Sequence, residues 1–202
     1  MRGDPLFLRN TFEGQGRWGI PLIHKQEINL EHVSLIACSD TRPNDSRVNT
    51  FRGVHFFVDD YRFSDIYNHP EKSLQKYSQY AFLLTPDYSV YADMQPWRQI
   101  EGIAHSRWCG AYWQSKKLTV LATITWAGPS SYEYCFDGVE HNSIIAVGTI
   151  GCRLGKKAFL HGYDAMLERI SPDAIICLGE PFTEMKGKVI PVDYRNSRKV
   201  VR

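Results

Sequence analysis

Four carboxylates, Asp59, Asp60, Asp87 and Glu180, stand directly after short apolar runs, VHFFV, AFLLTP and AIICLG. Two such groups brought within a few ångströms can hold a divalent cation such as Mg2+ or Mn2+. They can equally divide the roles of general acid and general base, because each raises the other's pKa. Asp60 and Asp87 form the candidate metal pair, and with Glu180 they form the candidate catalytic set. Asp59 and Ser89 beside them are candidate ligand contacts. Each aspartate also fits a local role, Asp59 and Asp60 as caps of the following turn and Asp87 in an Asx turn after Pro86.

A second constellation is GTIGCRLGKK, Gly148 to Lys157, where glycines precede a helical pattern and a lysine pair. Glycine lets backbone N–H groups approach an anion, and a helix N-terminus favours negative charge. Thr149, Gly151 and Lys156 are therefore candidate contacts to a phosphate, although the same residues suit an ordinary glycine-rich turn. The spacing fits neither G-x-x-x-x-G-K-[ST] nor G-x-G-x-x-G. Glu101, His105 and Cys109 recur on one helix face, but without H-x-x-x-H or paired C-x-x-C the stripe reads as structural. Trp126, and Trp113 with Gln114 at the end of a long helical pattern, suit either stacking on a base or ordinary packing. No G-x-S-x-G elbow occurs, so Ser89, Ser130 and Ser131 lack the setting of a nucleophile.

The elements that would position these groups follow from periodicity. VHFFVDD, AFLLTPDYS, LTVLATITW, SIIAVGTIG and DAIICLGE are apolar, β-branched runs without polar alternation. That is the pattern of parallel strands covered on both faces, and their carboxyl ends are where ligands bind in such folds. VSLIAC (33–38) predicts an earlier strand, and KVIPVDY (188–194) a terminal strand at an edge, where Pro191 is tolerated. Between them, a helix is predicted after Pro70. Gln95 to Trp113 carries an apolar stripe (Trp97, Ile100, Ala104, Trp108, Ala111, Tyr112) opposite Arg98, Arg107 and Gln114, and Lys157 to Ile170 carries another. A short helix at Tyr132 to Phe136, closed by Gly138, is expected in the next connection. The fold class predicted is α/β, a single domain with a mostly parallel sheet of about six or seven strands and helices packed on it. The sheet is either open and doubly wound or an incomplete barrel. Residues 1–30 read as an irregular arm, 31–194 as the domain and 195–202 as a basic tail with a solvated end.

Length and composition set outer limits. A chain of 202 residues with 43% hydrophobic and 13% aromatic content is not disordered and needs no second domain. A formal net charge of +2 gives no global polyanion-binding signature, so any nucleic-acid contact must be local. The five cysteines are odd in number and scattered, as in reduced proteins. With no apolar run long enough to cross a bilayer, the expectation is a cytoplasmic protein with no membrane partner.

The blocks GVHFFVDDYRF (53–63), LLTPDYSVYADM (83–94), GAYWQS (110–115), LATITW (121–126), CFDG (135–138) and VGTIGC (147–152) resemble an uncharacterised family. It is a domain of unknown function associated with bacteria, phages and other mobile elements. The resemblance runs from about Gly19 to Glu180; it implies a mobile-element setting and assigns no catalytic residue. The residues themselves point first to an enzyme acting on a phosphate-bearing ligand, a nucleotide or nucleic acid. A non-catalytic module that sequesters a nucleotide or contacts a host or replication protein is the alternative, and a glycosidase-like acid and base pair is a third.

Overall fold

The structure, a computed structural model, describes residues 5–201. In chain order its elements are α1 (Pro5–Leu8), β1 (Gly14–Gln15), β2 (Ile20–Pro21), β3 (Leu35–Ala37), α2 (Arg47–Thr50), β4 (Gly53–His55), α3 (Asp65–Asn68), α4 (Pro70–Tyr77), β5 (Phe82–Leu84) and α5 (Pro96–Ser115). They continue with β6 (Val120–Thr123), α6 (Tyr132–Cys135), β7 (Ile144–Gly148), α7 (Lys156–Ile170), β8 (Ala174–Leu178), β9 (Val189–Val192) and α8 (Tyr194–Ser197). β1 and β2 form a small antiparallel hairpin within the N-terminal arm.

Strands β3 to β9 make one seven-stranded, wholly parallel sheet in the order of the chain. That order decides between the two predicted architectures. A doubly wound sheet requires the strand order to reverse, and here it never does. Right-handed crossovers between consecutive neighbours put every connection on one face, so the sheet curls and its other face turns inward as a half-barrel.

The apolar runs lack alternation because both faces are covered. Leu35, Leu84, Leu121, Ala146, Ile176 and Leu178 face inward and fill the barrel. Ile145, Val147, Ile175 and Cys177 face outward onto Phe159, Tyr163, Met166 and Ile170 of α7. Val54, Leu83 and Val120 face Trp108, Tyr112 and Trp113 of α5. Burial of each large aliphatic side chain contributes roughly 1.5–3 kcal/mol.

Helix α5 departs from its predicted one-sided stripe. Its residues from Ser106 to Trp113 are continuously buried, while Trp97, assigned to the apolar stripe, is 66% exposed. The second face is covered by the N-terminal arm, whose Ile20 and Ile23 join the same core. Gly110 permits the close fit: a Cβ there would lie 2.5 Å from Ile23 Cδ1 and 2.6 Å from Thr85 Cγ2. Arg107, expected on the exposed face, is fully buried.

The gap between β3 and β9 is where the chain beyond β9 docks. The expected solvated tail is instead tied down from residue 194 to 201. Arg52 donates to the carbonyls of Lys199 (2.6 Å) and Asn196 (2.9 Å) as well as to Leu35 on β3. Asn49 and Val201 bond reciprocally through backbone and amide at 3.0 and 3.2 Å. Asp193 caps α8 by accepting from Asn196 N at 2.7 Å. Inside the barrel, His55 Nδ1 accepts the Phe57 N–H (3.2 Å) and Nε2 lies 2.9 Å from Ser197 Oγ, which itself donates to the Tyr194 carbonyl (2.7 Å). This pattern fixes a neutral His55 with the proton on Nε2, so His55 donates to Ser197 and cannot deprotonate it.

Burial, reinforced by the Arg198 and Arg52 charges, lowers the His55 pKa to about 3. Between pH 6.5 and about 3 the unfolded chain holds a proton that the folded chain does not, so stability falls as pH drops through that window. The slope from this residue is at most about 1.4 kcal/mol per pH unit. Urea unfolding in pH steps from 7 to 4 checks it: the loss is expected to be shallower in His55→Gln than in the parent protein.

Candidate functional site

The carboxyl ends of the central strands open into a cavity of about 800 Å3. Its wall includes Phe57 to Asp59 and Arg62 after β4, Asp87 to Tyr91 after β5, and Ile124 to Trp126 after β6. Gly148 and Ile150 to Cys152 after β7, Phe159 of α7, and Tyr194 and Arg198 of the docked tail complete it.

Asp87 is held by the locking of two strand ends. Thr85 Oγ1 accepts from Thr123 N (2.9 Å) and from Ser106 Oγ (3.1 Å), and Thr123 Oγ1 donates to the Thr85 carbonyl (2.7 Å). Pro86 follows, buried, and Asp87 emerges into the cavity. Burial and the neighbouring Asp60 charge raise its pKa to about 7, against the pull of Arg107. Asp60 opens a 3-10 turn and accepts from both Ser89 N (3.1 Å) and Ser89 Oγ (2.9 Å), with Tyr91 donating to Ser89 Oγ at 3.2 Å. These bonds tie the loop after β4 to the loop after β5 and place Asp60 and Asp87 at the same end of the sheet.

Behind this floor lies Arg107. Its guanidinium donates to the carbonyls of Thr123 (2.8 Å), Cys135 (3.2 Å) and Asp137 (3.3 Å). Burial brings its pKa down to about 10, while Cys135, Asp87 and Asp137 favour the charged form. Gly138, at φ +74°, lets the chain pass close to the Pro21 carbonyl while Asp137 and Cys135 present their own carbonyls to Arg107. A cation solvated by carbonyls is thus built into the wall behind Asp87. Periodicity put Arg107 on an exposed face; its setting among Ser106, Trp108 and Cys109 was the available signal.

Trp126 is seated against Gly162 of α7, where a Cβ would come within 2.1 Å of the indole, and packs on Phe159 with centroids 5.0 Å apart. Gly148 fits against the Phe57 ring, and Gly151 turns at φ +77°. Cys152 faces the same cavity, but burial and the Asp87 charge push its thiol above the ordinary range, which disfavours a thiolate nucleophile.

Asp59, Asp87, Ser89, Trp126 and Gly151 therefore share the cavity wall, with Asp60 bonded to it through Ser89. Asp59 is exposed and lies 3.8 Å from Arg62. The other candidates lie elsewhere. Glu180 is exposed and paired with Arg153, and Lys156 pairs with Glu184 at 2.7 Å. Thr149 is buried, donating to the Glu180 carbonyl at 3.0 Å. Trp113 is fully buried and stacks on Phe56, while Gln114 binds the His24 carbonyl at 2.8 Å. Both sit at the far end of α5, which runs back from the cavity to the amino ends of the strands. His105 of the helix stripe stacks on Tyr67 at 3.6 Å. Among the described residues no group of three His, Cys, Asp or Glu side chains is placed to hold a metal ion, and no helix is long and apolar enough to cross a membrane.

Residues 12–195 match the family described as Domain of unknown function (DUF4417). The chain belongs to this family. It is 34% identical over 180 residues to the Gene 1 protein of Mycobacterium phage L5, a match covering 88% of this chain and 78% of the phage protein. It is 33% identical over 179 residues to the Gene 1 protein of Mycobacterium phage D29, covering 87% of this chain and 66% of the relative. No solved structure gives a significant match.

The Asp87 carboxyl is expected to titrate near pH 7. Its proton is bound in the folded state between about pH 4 and 7 and absent from the unfolded chain, so stability from this residue falls as pH rises through that window. Carbon-13 NMR of the aspartate carboxyls checks it directly: one resonance is expected to move near pH 7, to vanish in Asp87→Asn, and to shift toward lower pH in Asp60→Asn.

Proposed function

We propose that this protein is an enzyme acting on a phosphate-bearing ligand of the nucleotide class, bound in the mouth of the half-barrel, with Asp87 as its general acid or base. The observation that carries the reading is a carboxyl brought to a pKa of about 7 in the wall of an 800 Å3 cavity at the carboxyl ends of parallel strands. A catalytic acid or base is most effective when its pKa lies near the operating pH, and sites of this kind are where such groups collect. The aromatic residues Phe57 and Trp126 in the wall suit a base, and Arg62 and Arg198 suit phosphate oxygens. Where a divalent ion takes part, Asp60 and Asp87 are the carboxylates that would hold it, with ligand phosphates completing the shell as Mg2+ sites commonly do.

Exposed aromatics support a second reading, a non-catalytic module. Tyr61 and Tyr91 are 70% and 60% exposed beside the cavity mouth, an arrangement that serves contact with a partner as well as with a ligand.

Thermal-shift measurements with nucleosides, nucleoside mono-, di- and triphosphates and short oligonucleotides, with and without Mg2+ or Mn2+, separate the two readings when chromatography follows conversion. One phosphate-bearing class is expected to raise Tm and be converted. Asp87→Asn is expected to keep the Tm shift and to lower conversion about 100-fold or more. A Tm unmoved across the whole panel contradicts the proposal, and a shift without conversion favours the binding module.

A further inference from the structure

We infer that the tail segment 194–201 is part of the binding site, and that Arg198 is its phosphate-recognising side chain. This rests on the nucleotide reading above and names the group that would select the charged part of the ligand.

The cavity contains charges of both signs, but they are not equivalent. Asp59 and Arg62 lie within 3.8 Å of each other, and both line the cavity. Arg198 is different. Its Nε lies 3.2 Å from Asp40 Oδ2 and its Nη1 donates to Ser39 Oγ at 3.1 Å, and neither Asp40 nor Ser39 belongs to the cavity wall. The guanidinium of a residue that lines the cavity is therefore braced by two groups that lie outside the wall. Among the described residues its Nη2 has no hydrogen-bond partner. A planar donor held by its counter-ion, with one nitrogen still without a partner, is pre-organised for a phosphate oxygen, and little side-chain entropy remains to be lost on binding.

The segment that delivers Arg198 is itself fixed. Arg52 binds two of its carbonyls, Ser197 meets His55 inside the barrel, and Tyr194 lines the same cavity. A half-barrel whose seven strands leave a gap between β3 and β9 thus has its mouth completed by this segment.

The test compares wild type with Arg198→Gln, Arg198→Lys and Arg195→Gln by calorimetry. The probes are inorganic pyrophosphate, an uncharged nucleoside and the corresponding mono- and triphosphates. Arg195 is exposed in the same segment and serves as the control. Arg198→Gln is expected to weaken the phosphate-bearing probes about 10- to 100-fold, the loss of one or two charge-assisted bonds, while nucleoside affinity is unchanged. Arg198→Lys is expected to recover part of the loss and Arg195→Gln to bind as wild type. An unchanged unfolding midpoint of the ligand-free Arg198→Gln protein separates lost recognition from lost folding. If wild type binds a phosphate-bearing probe and Arg198→Gln binds it equally well, the inference fails while the nucleotide reading stands. If wild type binds none of the probes, both fail.

Discussion

A parallel sheet whose strands follow one another in chain order has no point at which the order reverses, and the rest of the molecule answers to that constraint. Each right-handed crossover returns on the same side, so α5 and α7 share one face and the other face must find cover by curling on itself. Seven short strands curl without closing. Two segments that belong to no strand of the sheet supply the missing cover. The N-terminal arm lays Ile20 and Ile23 over α5, and the tail, held by Arg52, fills the gap between β3 and β9. Because all strands point the same way, every loop that can carry chemistry gathers at one end.

At that end, charge is arranged around a largely buried floor. Asp60 is held by both donors of Ser89, which orients it and fixes its distance from the loop bearing Asp87. Asp87, half-buried beside a second carboxyl, resists ionisation. Arg107, solvated by three backbone carbonyls within the wall, limits how far that resistance goes. The result is a carboxyl with its pKa brought to about 7, carried on the chain that leaves the locked ends of β5 and β6.

Much of this was legible in the sequence, for physical reasons. Non-alternating apolar runs gave the parallel strands, and the polar residues at their ends gave Asp60, Asp87 and Ser89, because only the loops after such strands reach the mouth. Strand order is not encoded in periodicity, so the choice between a doubly wound sheet and a half-barrel had to come from the structure. Arg107 escaped because a helical wheel assumes one wet face, and the arm removed it. Of the two roles open to Trp113 and Gln114 the structure shows packing, and the reason is topological: a helix that follows a strand runs back against it, so its last turn lies at the opposite end. Composition predicts a basic tail with a solvated end, whereas its backbone carbonyls are what Arg52 binds.

In the reading proposed above, one site at the mouth of the half-barrel assembles from loops after β4, β5 and β7 together with the tail. Amide chemical-shift mapping by NMR, with the phosphate-bearing compound that binds, tests it most directly. Residues 57–62, 87–91, 148–152 and 194–198 are expected to respond together, with residues 116–119 at the amino ends of the strands unmoved. A response confined to the amino ends, or to the surface around Leu154 and His161, would contradict it.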